Sequence, residues 1–226
     1  MPRVGTTAIA RRMTLRLCKE THLYRLNVSL PDKFRAFRLL PGGPRTYAFS
    51  HEHVLGTTLD LQIRSRSDTL ARWAYAEVLN EIERLGHLFA KGYVISLAAA
   101  RGVRIDGVED VLLNIGGDVQ HYGAHPVVVG VADPFAPGEN SSVGAIRIQN
   151  AALATSGAAS VFAPDCATAD ALATAFSALP SRESVALADA LPGVGCMLVE
   201  KDGAVTTSSA WMDRAVYADQ LDLSVA

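Results

Sequence analysis

The order of the predicted strands and helices most limits the folds open to this chain. Apolar runs typical of strands occur in blocks, and stretches typical of helices occur in other blocks, without regular alternation. Gly, Asp and Pro residues follow the strands, as turns require. Strands are predicted at 54–63, 111–115, 127–132, 143–149, 152–156, 196–199 and 204–208, and helices at 67–86, 92–100, 165–179 and 180–192. This order predicts an α+β fold with mixed or antiparallel sheets and packed helices.

The composition is that of a folded domain with a sizeable apolar core. Of the 226 residues, 49% are hydrophobic and 19% are charged, which excludes general disorder. The net charge of −2 argues against nucleic-acid binding, and no apolar run is long enough to span a membrane. Residues 45–226 are predicted to form the domain, and residues 1–44 a poorly patterned extension.

The N-terminal residues and the cysteines bear on the cellular compartment. Residues 1–20 contain several basic residues but no continuous apolar core, so neither a signal peptide nor a lipid-modified cysteine is predicted. Cys18, Cys166 and Cys196 are odd in number and widely spaced, which excludes a disulfide framework and a zinc pattern. Reduced thiols in a cytoplasmic protein are the expectation.

Two oxygen-bearing side chains share one face of a predicted helix. Asp170 and Thr174 are four residues apart, so they lie on adjacent turns. A carboxylate and a hydroxyl in this arrangement suit a hard cation such as Mg²⁺, which keeps substrate phosphates among its other ligands. An equally simple interpretation is an acidic residue that favours the helix dipole beside an exposed threonine.

Three further segments suit a ligand site, and two of them, the glycine pair and Lys91, suit a phosphate. Gly116 and Gly117 end an apolar run just before Asp118, and paired glycines let backbone amides approach a ligand closely. Thr155 and Ser156 form a second turn of small residues, and Lys91 stands beside a glycine where a helix begins. Ordinary strand-ending turns and a solvated lysine explain the same residues. Neither the dinucleotide-binding glycine fingerprint nor a P-loop occurs in the sequence.

Other catalytic motifs are weak or absent in the sequence. His51 and His53 flank Glu52 and suggest a metal pair, but no third ligand of matching type lies nearby in the sequence. No nucleophile elbow is present. The residues alone therefore predict an α+β domain with a candidate site for magnesium and phosphate.

Six short blocks, taken in order, resemble the successive motifs of the ApbE family, the FAD:protein FMN transferases. The blocks are Val54–Thr57, Ala90–Tyr93, Asn114–Asp118, Val129–Pro134, Ala154–Gly157 and Ala169–Thr174. The resemblance covers residues 45 to 205 and implies the fold of that family. It also implies magnesium-dependent transfer of FMN from FAD to a Thr or Ser hydroxyl of an acceptor flavoprotein, with release of AMP. Many members of the family are exported lipoproteins.

The resemblance also implies which residues form the site. By the family's pattern, the metal ligands are Asp170, Thr174 and the backbone of Ala173. The positions that match or line the flavin-nucleotide site are Leu55, Lys91, Gly116, Gly117, Asp118, Thr155 and Ser156. The catalytic base is left open between Asp118 and His53.

Two segments usual in the family are missing from this sequence. A long insertion is absent between Leu85 and Ala90, and a block containing a histidine and an Asp-Pro-Arg-Thr-Gly turn is absent after Gly157. The chain is therefore either a shortened member or one whose printed sequence lacks two loops. Two alternatives to the transferase follow: a degenerate FAD-binding or inactive relative, and a magnesium-dependent FAD pyrophosphatase in which water replaces the acceptor hydroxyl.

Overall fold

The computed structural model describes residues 43–135 and 142–216, which form eleven strands and five helices. The strands are β1 (Arg45–Val54), β2 (Thr57–Ser65), β3 (Val108–Ile115), β4 (Asp118–Gly123), β5 (Val127–Ala132), β6 (Ser142–Ile148), β7 (Ala152–Ser156), β8 (Ala159–Ala163), β9 (Gly195–Val199), β10 (Val205–Thr207) and β11 (Ala215–Val216). The helices are α1 (Asp68–Gly86), α2 (Lys91–Val103), α3 (Cys166–Ser177), α4 (Ser181–Ala190) and α5 (Ser209–Met212).

The strands form two antiparallel sheets. An eight-stranded sheet has the order β1-β2-β3-β4-β7-β8-β9-β10, and a three-stranded sheet has the order β11-β6-β5. All neighbouring strands in both sheets are antiparallel. The predicted α+β class with antiparallel sheets and packed helices is confirmed.

One face of the large sheet packs against helices. In β2, Leu59, Leu61 and Ile63 are fully buried, whereas the residues between them are more exposed, as the pleat of a half-covered strand requires. The same alternation occurs in β3. The core on this side also contains helix residues, among them Ala74, Val78, Leu85, Ile95, Ala99, Ala169, Ala173 and Phe176.

The three-stranded sheet and α5 share a second apolar cluster with the later strands of the large sheet. Ile146 and Ile148 of β6 and Trp211 of α5 lie in this cluster with Phe162 of β8 and Met197 of β9. Every residue of β8 and β9 is buried, because side chains on both faces of these strands are covered.

The sequence-based boundaries agree closely for the apolar or amphipathic elements. Strands β5 and β7 and helix α1 have the predicted bounds to within a residue. The strands predicted at 196–199 and 204–208 correspond to β9 and β10, which pair with each other. The strand predicted from Val54 is wrong at its start, because Leu55 and Gly56 form the turn between β1 and β2 with φ values of 49° and 82°. Helix α2 continues beyond the predicted residue 100, to Val103.

Strands β1, β4, β8 and β11 were not predicted. β1 is a polar edge strand, and β4 carries Asp118, Gln120 and His121, which are buried although polar. Their patterns therefore do not show the apolar alternation of a half-covered strand. No helix in the described ranges is long and apolar enough to cross a membrane. Most of the extension predicted at 1–44 lies outside the described residues.

Candidate functional site

Two tight turns lie side by side at one end of the large sheet. The β3–β4 turn consists of Gly116 and Gly117, whose φ values of 61° and 94° favour glycine. The Gly117 N–H donates to Asn114 Oδ1 at 3.0 Å. A Cβ on Gly116 would lie 2.8 Å from the side chain of Thr57, just after the β1–β2 turn that holds Leu55. The structure thus places Leu55 and the glycine pair at the same edge.

Lys91 reaches this edge from the first turn of α2. Its Nζ lies 2.5 Å from Oδ2 of Asp118, the first residue of β4 after the glycine turn. Only 4% of the Asp118 side chain is exposed, compared with 36% of the Lys91 side chain. The ion pair therefore joins a buried carboxylate to an ammonium group that still reaches solvent.

Asp118 also lies within electrostatic reach of α3 and β7. Burial is the largest influence and raises the pKa of Asp118, whereas Lys91 lowers this pKa. The negative charge of Asp170 raises it further, and a hydrogen bond from the Thr155 backbone N–H lowers it. Three residues that lie far apart in the sequence, Lys91, Thr155 and Asp170, therefore converge on the Asp118 carboxylate. We call Lys91, Asp118 and Asp170 the charged cluster.

The predicted magnesium ligands lie along α3. Asp165 caps the helix by accepting from the Thr168 N–H at 2.9 Å. Asp170 is half-buried and Thr174 is exposed, while the side chain of Ala173 between them is fully buried in the core. Asp170 and Thr174 are therefore open to a ligand on the side of the helix that turns away from the core.

The remaining predicted residues are divided between the cluster and its surroundings. Thr155 Oγ1 pairs with Ser160 Oγ at 2.9 Å beside the end of β7, next to Ser156. His53 is exposed with a φ of 62° and makes no hydrogen bond or ion pair with any residue in the described ranges. His51 Nδ1 instead lies 3.0 Å from the Tyr75 hydroxyl. Of the two candidate bases, only Asp118 belongs to the charged cluster.

At the two places where the sequence lacks a family segment, a short connection joins the neighbouring helices or strands. His87 and the next three residues join α1 directly to α2, and within this join Leu88 is 68% exposed and Phe89 50% exposed. Gly157, with a φ of 54°, and Ala158 form a two-residue turn between β7 and β8. Apolar side chains are therefore exposed in the connection that leads to Lys91.

Comparison with protein families finds a match to the ApbE family over residues 85–159. This range contains Lys91, the glycine turn, Asp118 and Thr155 of the site described above. Over these residues the chain is similar to the ApbE family. No curated protein matches the chain.

Two solved structures share the fold of this chain. The ApbE protein of Thermotoga maritima is 16% identical, with a TM-score of 0.59 over 76% of this chain and 100% of that one. The apo flavinyl transferase ApbE of Pseudomonas stutzeri is 13% identical, with a TM-score of 0.61 over 78% of this chain and 98% of that one. The likeness shows that this chain has the fold of these two proteins.

A second group of possible metal ligands lies at the opposite end of β3. Ligand atoms of Glu109, Asp110 and His125 lie within 4.8 Å of one another. Arg64 Nε lies 3.3 Å from one oxygen of Glu109, and Arg66 Nε lies 3.6 Å from the other. Two guanidinium groups therefore already offset the charge of the Glu109 carboxylate.

The buried side chain of His121 is expected to make the stability of the fold depend on pH. The residue is fully buried, its Nδ1 accepts from the Asn150 N–H at 3.2 Å, and its Nε2 lies 3.7 Å from Asp110 Oδ1 without a hydrogen bond. Burial lowers the pKa of His121, His125 lowers it slightly, and Asp110 opposes this shift. Protonation therefore favours the unfolded chain.

The free energy of unfolding is expected to fall as the pH drops below about 6.5, by up to about 1.4 kcal/mol per pH unit for one proton. Urea unfolding of wild type and His121→Gln between about pH 7 and 5 tests this, since the variant should show a flatter dependence. His87→Gln, at the exposed end of α1, is the control and should keep the wild-type slope. Parallel slopes for wild type and His121→Gln would refute the assignment.

Proposed function

We propose that the chain catalyses magnesium-dependent transfer of FMN from FAD to a Thr or Ser hydroxyl of an acceptor flavoprotein, with release of AMP. The observation that carries this proposal is the convergence of Lys91, Asp118 and Asp170 at one edge of an ApbE fold. The family match and the flavinyl transferase among the structural neighbours support it.

The charged cluster fits a divalent cation. Asp118 and Asp170 are close enough for one carboxylate to raise the pKa of the other, and Asp118 Oδ2 is buried without an aligned hydrogen bond despite its contact with Lys91. A hard cation would relieve this repulsion, because carboxylate and hydroxyl oxygens are its preferred ligands. Asp170, Thr174 and the carbonyl oxygen of Ala173 are the proposed ligands. When bound, Mg²⁺ would neutralise charge on the pyrophosphate.

The residues of this chain would then orient the reactants and accept a proton. Lys91 supplies a positive charge at the edge where the phosphates would lie, beside the glycine turn. The acceptor hydroxyl oxygen forms a bond to the phosphorus of the FMN moiety, the bond to the AMP oxygen breaks, and AMP leaves. The Asp118 carboxylate takes the hydroxyl proton in this proposal, since a raised pKa makes it a stronger base.

Incubation with FAD and Mg²⁺, with and without an acceptor flavoprotein domain carrying one Thr acceptor, tests the function. AMP is measured by chromatography and covalent flavin by intact mass of the acceptor, with the Thr→Ala acceptor as control. We expect AMP release together with covalent FMN on the unaltered acceptor only. FAD binding with neither AMP nor covalent flavin would overturn the transferase.

The pyrophosphatase alternative has one structural observation in its favour. The two-residue turn at Gly157 leaves the β7–β8 end of the site more open than an inserted block would, and an open site admits water as the nucleophile. Equal release of FMN and AMP with or without an acceptor, and no covalent product, would identify this reaction.

A further inference from the structure

A buried polar network joins α2, β4 and α3 beside the charged cluster. The side-chain oxygen of Gln120 accepts from Ser96 Oγ and from the Cys166 backbone N–H, both at 3.0 Å. The same N–H lies 3.0 Å from Ser96 Oγ, and Gln120 Nε2 donates to the His121 carbonyl oxygen at 3.3 Å. Gln120 is fully buried and Ser96 is 8% exposed. Since water cannot replace these partners, the network fixes the three elements relative to one another.

Each element of the network also supplies one member of the charged cluster. The pairs are Ser96 and Lys91 on α2, Gln120 and Asp118 on β4, and Cys166 and Asp170 on α3. On the strand the two residues share a face, and on α3 they are one turn apart. A shift of any element at the network would therefore move the corresponding charged side chain.

The packing of α2 against α3 leaves little room for such a shift. A Cβ on Gly92 would lie 2.7 Å from Ala167 Cα and 2.9 Å from the Cys166 carbonyl oxygen. The close backbone contact at Gly92 and the hydrogen bonds of Ser96, one turn later on α2, both meet the first turn of α3. The relative position of Lys91 and Asp170 is therefore set at this crossing.

We propose that Gln120 is a positioning residue for the divalent-cation site of the charged cluster. Its side-chain oxygen binds α2 and the first residue of α3 to β4, and so holds in place the three elements that carry Lys91, Asp118 and Asp170. This inference rests on the proposed function in that it assumes a cation at the cluster. Loss of an outer partner of this kind weakens metal binding by about 10- to 100-fold.

Mn²⁺ is the probe, because free Mn²⁺ is measured directly by electron paramagnetic resonance. The full chain is titrated with Mn²⁺ in the presence of FAD, as wild type, Gln120→Met and Ser96→Ala. Ser184→Ala is the control: this serine is also fully buried, but its Oγ donates to the Phe176 carbonyl oxygen at 3.1 Å, away from the network. Thermal melting temperatures of all four proteins show how far each substitution loosens the fold.

We expect about tenfold weaker Mn²⁺ binding for Gln120→Met and a smaller loss of affinity for Ser96→Ala, with wild-type affinity for Ser184→Ala. Wild-type affinity in both network variants would overturn the positioning role. A similar loss of affinity in Ser184→Ala at an equal melting temperature would also overturn it, because the effect would then follow stability alone. Wild type that binds no Mn²⁺ would overturn the proposed function, and the positioning role with it.

Discussion

Asp170→Ala is expected to abolish magnesium-dependent turnover of FAD while leaving the fold intact. The side chain is half-buried on α3 and lies outside the apolar core, so its removal opens no cavity there. Its loss removes a proposed cation ligand and also the negative charge that raises the pKa of Asp118. The effect should therefore appear in the chemistry rather than in folding, as a loss of roughly 100-fold or more.

Turnover is measured as the initial rate of AMP release across a range of Mg²⁺ concentrations. Stability is measured by circular dichroism melting curves. Asp106→Ala is the matched control, since this aspartate is exposed just after α2. It should keep the wild-type rate and melting temperature. Turnover by Asp170→Ala at the wild-type rate and with the wild-type Mg²⁺ dependence would remove the metal site from α3.

Lys91→Met is expected to lose both stability and affinity for FAD. Without the ammonium group 2.5 Å away, the Asp118 carboxylate remains buried and unpaired. Leaving a buried charge without its partner costs roughly 1–3 kcal/mol, and the partial exposure of Lys91 favours the lower end of this range. FAD affinity should fall because a positive charge beside the proposed phosphate position is lost.

The double variant Lys91→Met/Asp118→Asn separates the two effects. The neutral amide introduced by Asp118→Asn no longer needs a counter-charge, so the double variant should regain most of the lost stability but not the affinity for FAD.

The stability of Lys91→Met is also expected to depend on pH in a definite direction. Burial raises the pKa of Asp118, and loss of Lys91 raises it further, so protonation favours the folded state. The deficit relative to wild type should shrink as the pH falls into the range where Asp118 becomes protonated.

The free energy of unfolding is measured by urea unfolding at neutral and acidic pH. The affinity for FAD is measured by fluorescence titration. Lys201→Met, at the exposed turn between β9 and β10, is the control and should resemble wild type. A double variant as unstable as Lys91→Met would show that Lys91 stabilises the fold by packing and not through its charge.

The local sequence pattern is sufficient to locate a helix or strand wherever its buried residues recur with a single periodicity. Helix α1 buries Ala71, Ala74, Val78, Ile82 and Leu85 at three- and four-residue spacing, and the amphipathic pattern located it. Strand β5 was located as an apolar run that ends before an Asp-Pro turn. Strand β4 could not be found in this way, because three of its four buried side chains are polar. The hydrogen-bond partners of Gln120 and His121 lie on α2, on α3 and in the β6–β7 connection.

The residues of the candidate site also divide into those that the sequence indicates and those that only the structure shows. The spacing of Asp170 and Thr174 on one helix and the paired glycines before Asp118 could be recognised from the sequence, since helix period and glycine conformation are local properties. The resemblance to the ApbE family implies that these motifs form one site. Ser96 and Gln120 had no sequence signal, because a buried serine and glutamine are conspicuous only beside their partners.

By itself the sequence determined the fold class, most of the helices and strands, and the residues with suitable chemistry. These follow from periodicity, turn residues and the order of the motifs. Only the tertiary structure decided that Lys91, Asp118 and Asp170 meet, and that Asp118 rather than His53 belongs to the cluster. The physical reason is that their convergence depends on the close crossing of α2 and α3 at Gly92 and on the strand order that places β4 beside β7. Both are long-range packing relations that no local pattern encodes.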